Sequence, residues 1–426
     1  MYGAILGDII GSPYEFDRGR KIKNFKFFDR GARFTDDSVM TIAVAEALMR
    51  AHGIGVIEDE KSTKDLIIDM MHKWGHRYPD AGYGGRFYHW LADSERAPYN
   101  SWGNGSAMRV SAVGWLYDDL KTARKIARWT AEVTHNHPEG VKGAEAIAAA
   151  ICMARNGSSK EEIQKYTEKE FGYDLSRTCD EIRPGYRFDV SCQGSVPEAI
   201  RAFLDGSDFE DVIRTAVSLG GDTDTIGAMA GSIAEAFYGV PDHLKDECEK
   251  RLPDDMADIL LMFHCDRRVQ LLEKAIDAFE SDRSQEMLLT ILWYLKAALL
   301  WVPCNAVLSE RDQKLVEKMV EGQEDNLDSL KGESWQPMDD IRLVPDILMN
   351  GDEYFFPAFT SCEEMGEYGD GFSKVQKHVM GIINMAKNNE KDIEGIVINA
   401  FTKPFVVSKE LFSIIEKFDE SVVDDE

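Results

Sequence analysis

The sequence predicts an all-α N-terminal domain followed by a smaller C-terminal α+β domain, and three observations carry that prediction. Residues 38–50, 106–117, 121–133, 140–155, 196–204, 208–219 and 225–238 are rich in Ala, Ile, Val, Leu and Met at helical spacing, with few strand-like alternations between them. Beyond residue 280 the texture changes to short β-branched and aromatic runs broken by Pro and Gly. Charge shifts as well: residues 301–426 hold 12 Lys and Arg against 27 Asp and Glu, a net of −15 out of −27 for the whole chain.

Each element has its own signal. ARFTDDSVMTIAVAEALM, residues 32–49, sets Thr and Asp before a run of small apolar residues, which marks a helix start. SLGGDTDTIGAMAGSIAEAF, residues 218–237, repeats that grammar behind a double glycine. Gly227, Ala230, Gly231 and Ala234 keep one face of this second helix thin, and Ala43 and Ala47 do so for the first, which permits either close helix approach or plain core packing. The polar stretch AFESDRSQEM places the domain boundary between 265 and 290. The domains expected are therefore 1–265, a helical linker over 266–290, and 291–420, with LLWVPCNAVL, YFFPAFT and EGIVINAFTKPFVV as strands. The terminal DESVVDDE is expected to be frayed and solvated.

Length and composition exclude several classes of function. A chain of 426 residues exceeds what one core usually spans, which agrees with two domains. A net charge of −27 repels phosphate backbones and anionic lipid, so neither nucleic acid nor a membrane surface is an expected partner. Seven cysteines without a CxxC pair fit free thiols in a reducing compartment, and no apolar run reaches the ~18 residues of a membrane span. The opening residues lack the form of a signal peptide, so a cytoplasmic location is expected.

The two acidic helix starts pose the chemical question. Asp and Thr in a first turn accept backbone N–H bonds and suit the positive end of the helix dipole, so capping is one reading. A cap needs a single carboxylate, yet Asp36 with Asp37 and Asp222 with Asp224 supply four. Clustered carboxylates repel unless a cation lies between them. Asp and Thr oxygens form the hard donor set that Mg²⁺ or Mn²⁺ takes, so a metal site is the other reading.

MYGAILGDIIGSPYEF, FTDDSVMT, SWGNGSAMRVSAVGWL, THNHPEGVKGAEAIAAAI and SLGGDTDTIGAMAGSIAEAFYGVP, in this order, resemble the ADP-ribosylglycohydrolase family over roughly residues 1–265. The resemblance implies an all-α fold with two divalent metal ions, Mg²⁺ or Mn²⁺, hydrolysing the glycosidic bond between ADP-ribose and a protein side chain. It implies metal ligands Thr35, Asp36 and Asp37 from the first helix start and Asp222, Asp224 and Thr225 from the second. Asp36 and Asp222 then also serve catalysis. Glu15, in GSPYEF, matches the family's mobile glutamate; it acts as acid or base, or ligates metal in the resting enzyme. By the same resemblance Asn100, Ser101, Trp102, Gly103, Asn104 and Gly105 line an ADP-ribose channel, with His135 near the phosphates or distal ribose. The expected partner is an ADP-ribosylated protein or a small molecule containing ADP-ribose.

Several residues keep two readings. Glycines before a helix expose backbone N–H groups to a pyrophosphate, but equally make a tight turn. Trp102 is suited to stacking on adenine or to packing, and Arg109 to a buried carboxylate or a phosphate. The aromatics of RYPDAGYGGRFYHWL, residues 77–91, either roof a site or fill a core. WYLKAALLWVPCN, DEYFFPAFTSCEEM and GIVINAFTKPFVVSKELF, over roughly residues 285–420, resemble the SseB-type domain, which implies no chemistry of its own; the negative charge of this part points to docking on a basic partner protein, and a stabilising appendage without a partner is the other reading. Asp339, Asp340, Asp346, Asp352 and Glu353 lie close in the chain there but lack metal spacing. A noncatalytic ADP-ribose-binding or regulatory protein is the alternative to an enzyme, and a third reading makes the C-terminal domain the working part.

Overall fold

The computed structural model describes residues 1–16, 21–53, 55–296, 298–309, 311–312 and 342–417. It forms two compact units, Met1–His264 and Cys265–Glu426. Among the described residues the first unit is built from helices α1 (Tyr2–Gly11), α2 (Asp36–Gly53), α3 (Glu60–Arg77), α4 (Gly85–Ala92), α5 (Gly105–Met108), α6 (Ser111–Leu116), α7 (Leu120–Glu132) and α8 (Pro138–Arg155). It continues through α9 (Lys160–Phe171), α10 (Cys179–Ile182), α11 (Cys192–Asp205), α12 (Phe209–Ser218), α13 (Thr223–Tyr238) and α14 (Asp242–Glu249) into α15 (Asp254–Ser281).

Surface helices start on local caps. Asp59, Asp119 and Asp208 accept from the amide three residues on, and Ser159 with Glu162 forms a reciprocal capping box. The inner helices α1, α8 and α13 are buried nearly all round.

The packing of α1 on α13 decides the geometry of the unit. Gly3, Gly7 and Gly11 recur at four-residue spacing and so share a face. A Cβ on Gly3 would lie 2.1 Å from the Gly231 carbonyl oxygen, one on Gly7 2.0 Å from that of Gly227, and one on Gly11 2.3 Å from that of Thr223. Only glycine permits this backbone-on-backbone approach. The Glu235 carboxylate on α13 accepts from the Tyr2 and Gly3 amides at 3.1 and 2.8 Å, so one helix caps the other. The thin face of the second acidic helix therefore lies on α1 rather than on the first acidic helix.

In the second unit α15 supplies Val269, Leu272, Ala275 and Ile276 to the core, with Ile291, Leu292 and Leu295 from α16 (Gln285–Lys296). Strands β1 (Leu299–Val307), β2 (Arg342–Pro345) and β5 (Ser373–His378) form an antiparallel sheet of order β2-β1-β5. Strands β3 (Leu348–Asn350), β4 (Glu353–Ala358), β6 (Ile393–Ile398) and β7 (Phe405–Ser408) form a sheet of order β3-β4-β6-β7, in which β4 and β6 run parallel. A parallel pair needs a crossover, and the helix Val379–Lys387 lies in that connection. The α+β class and the expected strand segments hold. Strand β5, SKVQKH, carries no apolar alternation because it is an exposed edge. Asp339, Asp340 and the terminal DESVVDDE lie outside the described residues.

Candidate active site

Capping and chemistry are separated at the start of α2. Asp8, in the middle of α1, accepts from the amides of Thr35 and Ser38 at 2.8 and 3.0 Å, from the Thr35 hydroxyl at 2.7 Å, and from the Ser38 hydroxyl. It therefore caps α2 from another helix. Thr35 in turn accepts the Asp37 amide at 3.3 Å. With the helix end satisfied, Asp36 and Asp37 are released from capping, and Asp37 Oδ1 is buried without a hydrogen-bond partner among the described residues.

The start of α13 shows the same release. Asp222 sits at its N-cap position but makes no side-chain cap bond; it accepts instead from the Asn104 side-chain amide at 2.7 Å. The Thr225 hydroxyl donates to Asp37 at 3.2 Å, which joins the two acidic helix starts. Glu15, just beyond α1, brings a carboxylate oxygen within 4.8 Å of oxygens from both Asp222 and Asp224.

Electrostatics follow from this crowding. Burial, then the charges of Asp224, Asp8 and Glu15, hold Asp36 well above the usual carboxylate range. Burial followed by neighbouring aspartates does the same to Asp37 and Asp224. Burial lifts Asp222 to about 6 despite the Asn104 bond, and Asp8 to about 6 despite its four donors. No Lys or Arg forms an ion pair with Asp36, Asp37, Asp222 or Asp224 among the described residues. Convergent buried carboxylates, an unpartnered oxygen and a hydroxyl between them fit a hard divalent cation.

These acids open into a cavity of about 540 Å³. Glu15, Asp36, Asp37, Asp222, Asp224 and Thr225 line it, and so do Ser101, Gly103, Asn104, Gly105 and His135. Thr35 is not in the lining; it is buried against Asp8. Asn100 and Trp102 are also outside it. The Asn100 amide donates to Asn136 at 2.8 Å, and Trp102 is 48% exposed beside His137. Two of the glycine-strip amides are already engaged, Gly103 by the Ser101 hydroxyl at 3.1 Å and Asn104 by the Val190 carbonyl at 2.8 Å. Gly103 and Gly105 still have a steric role, since a Cβ at either would lie 3.4 or 3.2 Å from His135 Nε2.

His135 is kept neutral by burial and by the cations Arg109 and Arg86. Arg109 is buried and pairs with no carboxylate among the described residues; it donates to the Thr130 carbonyl and the Thr134 hydroxyl at 2.9 and 2.8 Å. His137 caps α8, accepting the Glu139 amide at 3.2 Å.

Sequence reasoning missed Asp8 and the exposed pair Phe16 and Phe188, which line the cavity with ring centroids 4.8 Å apart. The signal for Asp8 was a single carboxylate inside the apolar AILGDIIG. From the aromatic stretch 77–91, Tyr83 and Phe87 line the cavity.

Comparison with known proteins identifies the family. The ADP-ribosylglycohydrolase family model matches residues 1–278. The chain is 29% identical over 329 residues to "ADP-ribosylhydrolase ARH3" of Bos taurus, covering 58% of this chain and 87% of that protein. It is 24% identical over 273 residues to "ADP-ribosylarginine hydrolase Tri1" of Pseudomonas putida (strain GB-1), covering 56% and 70%. Among solved structures, an "ADP-ribosylglycohydrolase-related protein complex" covers 60% of this chain and 92% of that one at a TM-score of 0.45 and 24% identity. With the family model spanning both acidic helix starts, the chain belongs to the ADP-ribosylglycohydrolase family.

Proposed function

We propose that residues 1–265 form a metal-dependent catalytic domain that hydrolyses the glycosidic bond between ADP-ribose and a modified protein side chain, arginine in first place and serine in second. The observation that supports this reading most is the convergence of Glu15, Asp222 and Asp224 at one cavity with Asp37, which the Thr225 hydroxyl links to α13.

Two divalent ions, Mg²⁺ or Mn²⁺, would be held by Thr35, Asp36 and Asp37 on one side and Asp222, Asp224 and Thr225 on the other. Bound there, such ions supply the positive charge that grips a ribose diol and favours attack at its anomeric carbon. The chain itself does the rest. Asp8 fixes Thr35 and the turn carrying Asp36 and Asp37, and Asn104 fixes Asp222. Glu15 moves the proton to the leaving atom or from the attacking water, as a carboxyl beside other buried acids is suited to do. Ser101, Gly103, Gly105 and His135 accommodate the phosphate-bearing part of the substrate.

The second unit, read as a helical linker over 266–290 and an SseB-type domain over 291–420, serves as an acidic docking module for a basic partner protein. Among the described residues, no helix is long and apolar enough to cross a membrane.

The test is release of ADP-ribose from mono-ADP-ribosylated arginine and serine peptides, with and without Mg²⁺ or Mn²⁺. Metal-dependent release supports the proposal. ADP-ribose binding without release from either peptide overturns it in favour of a noncatalytic binder.

A further inference from the structure

A buried hydrogen-bond chain runs toward the cavity from Arg109, a cation that no carboxylate answers among the described residues. Arg109 Nη2 donates to Thr134 Oγ1 at 2.8 Å, and Thr134 Oγ1 lies 2.7 Å from His135 Nδ1. Thr134 is fully buried, and these two nitrogens are the partners of its hydroxyl among the described residues. Guanidinium has no lone pair to offer, so the Thr134 oxygen accepts from it. The hydroxyl hydrogen then has one acceptor within reach, His135 Nδ1. Were Nδ1 protonated instead, Thr134 would accept twice and bury its own O–H without an acceptor, which folded proteins avoid.

With Nδ1 accepting, the imidazole proton sits on Nε2. That nitrogen faces the side-chain-free strip of Gly103 and Gly105, and the ring lines the cavity. Because the Gly103 and Asn104 amides are already engaged, an Nε2–H donor is a polar group that this wall can still offer.

We propose that Arg109 and Thr134 are positioning residues that lock His135 as the neutral Nε2–H tautomer, presenting one donor to a phosphate oxygen of the bound ligand. The ligand identity rests on the ADP-ribose reading above; the tautomer does not. Arg109 contributes in two ways, by orienting Thr134 and by placing a buried positive charge behind the ring, which suits an anion in front of it.

The experiment uses the full chain labelled with ¹⁵N-histidine, without ligand, and long-range ¹H–¹⁵N spectra, with His135 assigned by loss of its signals in His135→Gln. The expected result is a protonated Nε2 and an unprotonated Nδ1 in the native chain and in Thr134→Ser. Thr134→Val is expected to lose that pattern, and its affinity for ADP-ribose by calorimetry to fall about ten- to a hundredfold. In turnover the loss should fall on KM more than on kcat. An Nδ1–H or doubly protonated ring in the native chain overturns the proposal, as does a Thr134→Val chain with tautomer and affinity unchanged. Should the native chain fail to bind ADP-ribose, the functional reading falls, while the native spectrum still decides the relay.

Discussion

The Thr225 hydroxyl donates to the Asp37 carboxylate at 3.2 Å across 188 positions of the chain. This bond spans the two acidic helix starts and lies at the wall of the cavity that both line. Asp8 serves the first turn of α2, and Asp222 makes no cap bond to α13 and meets Asn104 instead. Asp36, Asp37 and Asp222 are thus available for a ligand rather than for their own helices, while one Asp224 oxygen accepts the Thr225 amide at 3.0 Å.

Asp222→Ala should abolish ADP-ribose release while leaving the fold intact. Losses in the layer behind a metal site cost about 10- to 100-fold, so removing a ligand should cost more than about a hundredfold in kcat. Circular dichroism and thermal melts would show retained folding beside lost turnover. Unchanged turnover would count against the metal assignment.

Asp8→Asn replaces a carboxylate that accepts from four donors with a group that has one accepting oxygen. Weaker anchoring of Thr35 and Ser38 should lower Mn²⁺ affinity and turnover about 10- to 100-fold without removing any proposed ligand. Calorimetric Mn²⁺ titration alongside the peptide assay checks it, and an affinity equal to that of the native chain would refute it.

The crowded carboxylates make stability depend on pH with a definite sign. Asp8 and Asp222 are raised from 3.8 to about 6 in the folded chain, and burial and mutual repulsion hold Asp36, Asp37 and Asp224 well above the usual carboxylate range. A group raised on folding contributes stability that is full below its unfolded pKa and is lost as pH rises through the folded value. The contribution of Asp8 and Asp222 in metal-free protein should therefore fall between about pH 4 and pH 6, and that of Asp36, Asp37 and Asp224 falls in the same direction as pH rises. Divalent cation should raise Tm more near pH 7.5 than near pH 5, because it binds the ionised form of the folded chain. Scanning calorimetry with and without Mg²⁺ at both pH values decides this; an equal shift at the two would contradict it.

Gly7→Ala should destabilise the first unit, since its Cβ would lie 2.0 Å from the Gly227 carbonyl oxygen. Overpacking of this kind costs about 1–3 kcal/mol, and rigid backbone on both sides places this case at the upper end. Gly381→Ala, whose Cβ meets nothing within 4 Å inside a helix, should be neutral or stabilising by about 0.5–1 kcal/mol. Urea midpoints for the two variants test the contrast.

Much of the site was legible because its chemistry is written in local clusters. TDD and DTDT place four carboxylates at two helix starts, and repulsion alone argues for something between them. The α+β texture after residue 280 was equally local. What escaped was non-local. Asp8 is a lone acid in an apolar helix, and its role depends on a first turn 27 residues away that no spacing rule connects to it. The glycine spacing of α1 was visible, but its partner became identifiable only when α13 was found against it. Phe16 takes φ 59° and meets Phe188 by tertiary packing, which periodicity does not encode. Strand β5 alternates no apolar residues because an edge need not bury either face.

The same 188-residue separation sets a timetable for synthesis. At about 5–20 residues per second, Asp37 leaves the ribosome roughly 10–40 s before Thr225. During that interval the nascent chain carries the first acidic turn without its counterpart, and α1 has a bare glycine seam with nothing to cover it. On the metal reading proposed above, loading of cation would be deferred until nearly the whole first unit has been made, and arrested or truncated chains would carry acids that cannot close on an ion.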